Sequence, residues 1–465
     1  MRRRLGDILR SFLRDWPEPF SHKVAAAVVK AALIGAPFLV LVLVAPPLVP
    51  VVFWTLVAVL AVLLLLLLLI NAVLGWFPES ERVANRRPMP ALTGSEVKLE
   101  RVLGPYNSQD GLRLYDAAFE GGGVKAIGQI GALARLSEAG LRPRRIVGTS
   151  GGAIVGAALA AGATPQQVWD ILAGLDLTEL LDPRWLPNRR WLRRAFYGVL
   201  PLLPGLVVWK AAVRGDRFRE IVLEELRGLT GIDDPTFGDL WLRRAPPGSP
   251  LDEFDCAFIA TDITRRRALV LPRDSRDFGI DHAALSVADT VRMSMAIPFV
   301  FEPVRLPLVE HGVTADIVDG GVSSNYPIWW FDSTSKAGPR YPTFGFLLDE
   351  SAGAQPEPPQ PVRWLYDYAA SVIQAGIGAI DRILDAHDEA RTIRIPTLGV
   401  ATTDFDLSPE RQAALFASGY RAADEFLQRF DWAQYVRDFR GARARIPAEA
   451  AGEAAVVDDV EYARG

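Results

Sequence analysis

A strand, a tight turn and a helix are encoded by residues 146–153, IVGTSGGA, and this stretch constrains the fold more than any other. Two apolar residues suited to a buried strand lead into G-x-S-x-G, formed by Gly148, Ser150 and Gly152, and a run of small apolar residues suited to a helix follows. The pattern is typical of a nucleophile elbow, in which a strained serine begins a helix and the flanking glycines avoid collisions. It predicts an α/β domain with Ser150 either as a catalytic nucleophile or simply as a helix N-cap.

Three successive glycines form a second turn between a strand and a helix. Residues 112–119 are predicted to be the first core strand, and Gly121, Gly122 and Gly123 separate it from a helix with apolar residues on one face. Backbone N–H groups at such a turn converge and bind anions. A dinucleotide-binding fingerprint is disfavoured because the next strand ends in GTS instead of an acid, and a P-loop because no G-K-[ST] follows. Neighbouring parallel strands would bring this loop to Ser150, which predicts an oxyanion hole.

An aspartate at the end of a predicted strand is the third chemical feature. Asp319 precedes Gly320 and Gly321 in the sequence IVDGG, and a carboxylate placed there can reach a serine on a neighbouring loop. An unperturbed aspartate, with a pKa of about 3.9, is a weak base, so the site must raise that pKa or stabilise the oxyanion strongly. A Ser-His-Asp triad with His387 is the rival arrangement, because His387 follows Asp319 in the chain order of α/β hydrolases. His387 falls in a charged predicted helix, however, which favours a Ser-Asp dyad.

Three motifs in this order, GGGVK, GTSGGA and VDGG, resemble those of the patatin-like phospholipases, which are lipid acyl hydrolases with a Ser-Asp dyad. The resemblance covers residues 112–430 and includes the stretches VADTVRMSMAIPFVFEPV and DGGVSSNYP. It implies that Ser150 is the nucleophile, that Asp319 activates first the serine and then water, and that residues 121–123 hold the oxyanion. The elbow glycines are then Gly148 and Gly152, and the supporting residues are Lys125, Gly320 and Gly321. The family usually carries glycine after the basic residue of the loop, where this chain has Ala126.

The resemblance also implies the fold class and the reaction. We expect an α/β domain of the patatin type, with three layers, α/β/α, around a mostly parallel central sheet. We expect a serine hydrolase that cleaves lipid acyl esters, of phospholipase or lipase type, through an acyl-enzyme. An acyltransferase with the same dyad is one alternative, since only the acceptor differs. A non-catalytic membrane scaffold is the alternative from another class.

The N-terminal part of the chain is predicted to cross a membrane twice. No charged residue occurs between Lys30 and Glu79, and residues 51–70 are apolar except for Thr55, which matches the roughly 20 residues that a bilayer core requires. Prolines divide the apolar stretch into two spans, and arginines flank the pair on both sides, so the positive-inside rule places both ends in the cytoplasm. The prediction is a hairpin in a bacterial inner membrane with a cytoplasmic catalytic domain, for which membrane lipids are both anchor and substrate.

The predicted segments are a basic cytoplasmic leader at 1–22, the transmembrane hairpin at 23–77, a linker at 78–111, the catalytic domain at 112–440 and a flexible tail at 441–465. Within the catalytic domain, residues 180–213 combine tryptophans, arginines and an apolar run interrupted by prolines. This composition suits a lipid–water interface. We interpret these residues as a lid or membrane-docking insertion, with an ordinary packed insertion as the alternative.

Composition argues against several other functions. The net charge of −4 gives no signal for nucleic-acid binding. The single cysteine, Cys256, excludes an intramolecular disulfide and a cysteine-based zinc site. The four histidines are too far apart in sequence for a local metal motif. We therefore expect no metal, no cofactor and no nucleic-acid partner, and the sequence carries no signal for an oligomeric state.

Overall fold

The computed structural model describes residues 88–103, 113–174, 211–244, 256–332, 341–350, 388–400, 402 and 407–439, and the structural statements below concern these ranges. The predicted leader at 1–22, the hairpin at 23–77 and the tail at 441–465 lie outside them, as does most of the insertion at 180–213. Within the described ranges, no helix combines the length and the apolar character needed to cross a bilayer.

Two sheets organise the described part of the chain. Their strands, in chain order, are β1 (Arg113–Phe119), β2 (Leu141–Thr149), β3 (Ala211–Val213), β4 (Cys256–Asp262), β5 (Arg267–Leu271), β6 (Phe299–Phe301), β7 (Val304–Leu308), β8 (Val313–Asp319), β9 (Thr343–Asp349) and β10 (Thr392–Pro396). The short strands β3 and β6 form a small parallel sheet of their own. Strand β1 confirms the predicted first core strand, and β2 confirms the strand predicted before the elbow.

The larger sheet is mixed, with the order β10–β9–β1–β2–β4–β8–β7 and with β5 beside β4. Strands β10, β9, β1, β2 and β4 run parallel, whereas β5 and β8 are antiparallel to β4, and β7 is antiparallel to β8. The prediction of a mostly parallel sheet thus describes the half that carries the elbow, while the half that carries Asp319 is antiparallel. The links at 263–266 and 309–312 are long enough for hairpins but too short for a parallel crossover.

The register of the strands brings the predicted site residues to one edge of the sheet. Phe119 at the end of β1 pairs with Gly148 of β2, so the glycine loop and the elbow leave the sheet side by side. Thr149 at the end of β2 and Asp319 at the end of β8 pair with consecutive residues of β4. Strand β4 therefore lies between the strands that carry the serine and the aspartate, and it places both residues at nearly the same level along the strand direction.

Helices pack on the larger sheet from one side. In chain order they are α1 (Leu99–Leu103), α2 (Ala126–Glu138), α3 (Gly151–Ala160), α4 (Pro165–Gly174), α5 (Asp216–Thr230), α6 (Phe237–Arg244), α7 (Val287–Ser294), α8 (Pro409–Arg429) and α9 (Trp432–Phe439). Helices α2, α3, α7 and α8 bury one continuous apolar core with this face of the sheet. On the opposite face, a second apolar cluster is covered by Tyr326, Ile328 and Phe331. The described residues thus contain one helical layer and the sheet, and the second helical layer stays a prediction.

Candidate active site

The serine of the elbow adopts a backbone conformation that L-residues rarely take. Ser150 has φ 52° and ψ −121° between the end of β2 and the start of α3. A side chain on Gly148 would collide with the backbone of Gly152, and a side chain on Gly152 would collide with the carbonyl of Phe119. The turn closes because both positions are glycine, and the strain at the serine, of order 1–3 kcal/mol, is offset by the surrounding structure.

Ser150 and Asp319 are joined by a direct hydrogen bond. Ser150 Oγ donates to Asp319 Oδ2 at 2.7 Å, and both residues are buried, with exposed fractions of 5% and 6%. The second carboxylate oxygen, Oδ1, accepts the backbone N–H of Gly321 at 2.7 Å. Burial raises the pKa of Asp319 to about 7, although the hydrogen bonds from Gly321 and Ser150 oppose the rise. The carboxyl group therefore titrates near neutrality, which suits a general base.

The backbone around the aspartate is fixed against β4. The Oγ1 hydroxyl of Thr261 donates to the carbonyl of Asp319 at 2.9 Å. Gly320 lies so close to the carbonyl of Ile259 that any side chain would collide with the strand. The two glycines after the aspartate thus act differently: Gly320 permits the close approach to β4, and Gly321 supplies the N–H that holds the carboxylate.

The glycine loop lies against Ser150. A Cβ on Gly121 would overlap Asn325 Oδ1 and lie 3.1 Å from Ser150 Cβ, so a side chain here would collide with Asn325 and crowd Ser150. Gly121 donates its own N–H to the carbonyl of Asn325 at 3.0 Å. Gly123 has φ 55°, a left-handed conformation that favours glycine. Among the described residues, the N–H groups of Gly122 and Gly123 have no acceptor, so these two are available to a ligand.

The residues after the glycines join the loop to the rest of the domain. Lys125 is buried, and its Nζ forms an ion pair with Glu350, which follows β9. Ala126 begins α2 with φ −56° and ψ −17°, an ordinary helical conformation. An alanine at this position introduces no backbone strain, so the departure from the glycine usual in the family leaves the loop conformation intact.

Three side chains without a role in the sequence analysis contact the site. Ser294, at the end of α7, accepts the N–H of Ser150 at 2.9 Å and donates to the carbonyl of Ile259 at 2.6 Å. Met295 Sδ lies 3.0 Å from Ser150 Oγ. Asn325 donates a hydrogen bond from Nδ2 to the carbonyl of Gly121 in the glycine loop. The only sequence signal for these three residues was their position in stretches that resemble the family, since no local spacing connects them to Ser150.

Histidine takes no part in the site as described. His282 packs against the ring of Trp241, with centroids 5.7 Å apart, and His311 is exposed between β7 and β8. His387, the rival base, lies outside the described residues. Within the described ranges, no group of His, Cys, Asp and Glu side chains is arranged as a metal site would require.

The fold and the site together define an α/β protein with a nucleophile elbow at the edge where its parallel strands end. A family model described as patatin-like phospholipase matches residues 117–331. The chain is also 32% identical, over 319 residues, to the uncharacterized protein YqhO of Bacillus subtilis (strain 168), and the alignment covers 68% of this chain and 99% of that protein. The chain belongs to the patatin-like phospholipase family.

The chain is less similar to solved structures of bacterial proteins. VipD from Legionella pneumophila shares 17% identity at a TM-score of 0.42, with 75% of this chain and 73% of VipD covered. ExoU, in its heterodimeric complex with SpcU from Pseudomonas aeruginosa, shares 19% identity at a TM-score of 0.37, with 76% of this chain and 60% of ExoU covered. Overlap of this extent carries no conclusion about the activity of this chain.

The raised pKa of Asp319 predicts how activity depends on pH. The base must be ionised to accept a proton, so kcat/KM for a soluble ester should fall about tenfold per pH unit below an inflection near 7. Steady-state rates from pH 4 to 9 on p-nitrophenyl butyrate measure this inflection. An inflection near pH 4 would contradict a buried aspartate base.

The same shift predicts a gain in stability when the charge is removed. The pKa in the folded state lies above the unfolded value of about 3.9, so the folded protein is not penalised below pH 4 and loses stability progressively as pH rises from about 4 through about 7. Asp319→Asn keeps the side-chain shape without the charge. Its melting temperature should match that of the wild type near pH 4 and exceed it at pH 8, where the buried carboxylate costs up to roughly 4 kcal/mol. Equal melting temperatures at pH 8 would contradict this account.

Proposed function

We propose that this protein is a serine hydrolase that cleaves acyl esters of lipids through an acyl-enzyme on Ser150. Membership of the patatin-like phospholipase family supports lipid hydrolase activity. The observation that carries the finer proposal is the 2.7 Å hydrogen bond from Ser150 Oγ to Asp319 Oδ2. It joins the one strained serine of the elbow to a buried carboxylate whose pKa is near 7. No histidine is required in this arrangement.

In the first half-reaction, Ser150 Oγ attacks the carbonyl carbon of the ester while Asp319 takes the hydroxyl proton. The carbonyl oxygen becomes an oxyanion. We assign its stabilisation to the N–H groups of Gly122 and Gly123, because Gly121 already gives its own N–H to Asn325. The tetrahedral intermediate then collapses, the C–O bond to the alcohol breaks, and the proton on Asp319 passes to the leaving oxygen. The acyl group remains on Ser150.

In the second half-reaction, water enters the position that the alcohol has left. Asp319, again ionised, takes a proton from the water as its oxygen attacks the acyl carbon. The same two N–H groups hold the second oxyanion. Its collapse breaks the bond to Ser150 Oγ, which recovers its proton from Asp319, and the fatty acid is released. An alcohol in place of water would make the same reaction an acyl transfer.

We also propose that residues 23–77 anchor the chain in a membrane as a helical hairpin, with the catalytic domain in the cytoplasm. The support lies in the sequence: the uncharged stretch between Lys30 and Glu79 and the arginines on both sides of it. A tethered domain would meet acyl esters at the surface where they reside. The full chain should stay with the membrane pellet after washes in high salt and in alkaline carbonate. Release by carbonate would exclude an integral hairpin.

The test of the reaction is labelling of the detergent-solubilised full chain with a fluorophosphonate. The wild type should be labelled on Ser150, Ser150→Ala should not be labelled, and Asp319→Asn should be labelled at least 100-fold more slowly, because the hydroxyl has lost its base. His387→Ala is the matched control and should be labelled at the wild-type rate. Undiminished labelling of Ser150→Ala would contradict the assigned nucleophile, and loss of labelling in His387→Ala would favour the triad.

Products distinguish hydrolysis from transfer. Incubation with phospholipid vesicles should release free fatty acid in proportion to the labelled enzyme. Appearance of the acyl group only on an added alcohol would identify an acyltransferase.

A further inference from the structure

Asn325 binds the glycine loop through both its side chain and its backbone. Its Nδ2 donates to the carbonyl of Gly121 at 3.0 Å and to Glu120 Oε1 at 3.0 Å. Its backbone carbonyl accepts the N–H of Gly121, also at 3.0 Å. Both polar groups of the Gly121 backbone are therefore bound by one residue. The carbonyl of Gly121 can only accept, which assigns Nδ2 of the Asn325 amide to this contact.

The bond to the Gly121 carbonyl determines where the next N–H points. A peptide group is planar and trans, so the carbonyl of Gly121 and the N–H of Gly122 point in opposite directions. When Asn325 binds the carbonyl on one side, the Gly122 N–H is directed to the other. Glycine would otherwise let this peptide rotate easily, because it has no Cβ to restrict φ and ψ.

The side chain of Asn325 is itself held in place. Glu120, which is buried, accepts the Asn325 amide with Oε1 and the backbone N–H of Leu348 in β9 with Oε2. The carbonyl of Glu120 accepts Nε2 of Gln129 at 2.9 Å. Through Glu120, the side chain of Asn325 is thus connected to β9 and to α2, which are both parts of the core.

Asn325 also belongs to the segment that begins at Asp319. The turn Gly320–Val322 follows the aspartate, and the N–H of Ser324 returns to the carbonyl of Gly320 at 2.9 Å. Thr149, just before the nucleophile, donates its hydroxyl to the carbonyl of Ser324 at 3.0 Å. One continuous segment, residues 319–325, therefore begins with the proposed base and ends with the residue that forms hydrogen bonds to the glycine loop.

We propose that Asn325 is a positioning residue for the oxyanion hole, which aims the Gly122 N–H at the reacting carbonyl oxygen by binding the Gly121 carbonyl. The proposal rests on the proposed serine hydrolase reaction. It assigns to Asn325 an effect on the transition state, where the oxyanion exists, and little effect on ground-state binding.

Two variants of the full chain test this assignment. Asn325→Asp keeps the shape but turns both N–H donors into acceptors, and Asn325→Ala removes them. Each should lower kcat for p-nitrophenyl butyrate about 10- to 100-fold and change KM less than threefold. Asn325→Ala adds no charge beside Asp319 and should also leave the pH inflection of kcat/KM in place, whereas the new carboxylate of Asn325→Asp raises the pKa of Asp319 by charge alone. A trifluoromethyl ketone, which forms an oxyanion on the serine, should lose affinity by the same factor as kcat.

Ser324→Ala is the matched control. Ser324 Oγ accepts Nε1 of Trp329 at 2.9 Å, so this variant loses a hydrogen bond of the same segment that does not reach the loop. It should keep kcat within threefold of the wild type. The final stoichiometry of fluorophosphonate labelling counts folded sites and normalises all rates.

The outcomes separate this proposal from the function on which it rests. A wild type that neither hydrolyses esters nor becomes labelled overturns the proposed function before any variant is compared. An active wild type with kcat unchanged in both Asn325 variants overturns the positioning role alone. Equal losses in Ser324→Ala, a loss confined to KM, or a displaced pH inflection in Asn325→Ala would also overturn it, because each indicates a general structural effect.

Discussion

The hydrogen bond between Ser150 and Asp319 joins residues at the ends of β2 and β8, the two strands on either side of β4. The site depends on the burial of the Asp319 carboxylate. A carboxylate in contact with water would stay near its usual pKa and be a poor base for a serine hydroxyl. Enclosed at the sheet edge, with Gly321 and Ser150 as its donors among the described residues, Asp319 reaches a pKa of about 7. The same burial makes the ionised state unfavourable in the folded protein, so basicity is obtained at the expense of stability.

The strained backbone of Ser150 is stabilised by hydrogen bonds from its own N–H and from its own hydroxyl. Its N–H is held by Ser294, which in turn bonds the carbonyl of Ile259 in β4. Its side chain meets the aspartate on the far side of the same strand. Strand β4 thus supports both Ser150 and, through Thr261, the backbone of Asp319. Because both residues are held against this one strand, the distance between the serine hydroxyl and the carboxylate is fixed.

Much of the site could be read from the sequence, because its parts are local motifs. The strained turn at Ser150 follows from glycine spacing, and the loop of residues 121–123 follows from three glycines between a strand and a helix. The further expectation of a mostly parallel sheet describes only part of the structure, since short links make antiparallel hairpins of β4 with β5 and of β7 with β8. Strand β8, which ends at Asp319, is also antiparallel to β4. The hydrophobic periodicity of a strand does not indicate which other strand it will pair with.

The contacts that aim the site could not be predicted for a related reason. Asn325 and Gly121 are separated by 204 positions, and Ser150 and Ser294 by 144, so the pairing arises only when the sheet has formed. From the sequence alone, the three loop glycines are equivalent candidates for the oxyanion hole. Tertiary hydrogen bonds make them unequal, because Gly121 is bound by Asn325 while, in the part of the chain that the structure describes, the N–H groups of Gly122 and Gly123 have no acceptor.

The most direct test of the account is the mass of the enzyme during turnover. With p-nitrophenyl butyrate in excess at pH 8, rapid acid quenching and intact mass spectrometry should show a fraction of the protein heavier by one butyryl group, and peptide mapping should locate that group on Ser150. The account predicts that the modified fraction appears as fast as nitrophenol is released in the first turnover. A butyryl group on another residue, or a burst of nitrophenol with no modified protein, would contradict an acyl-enzyme at Ser150.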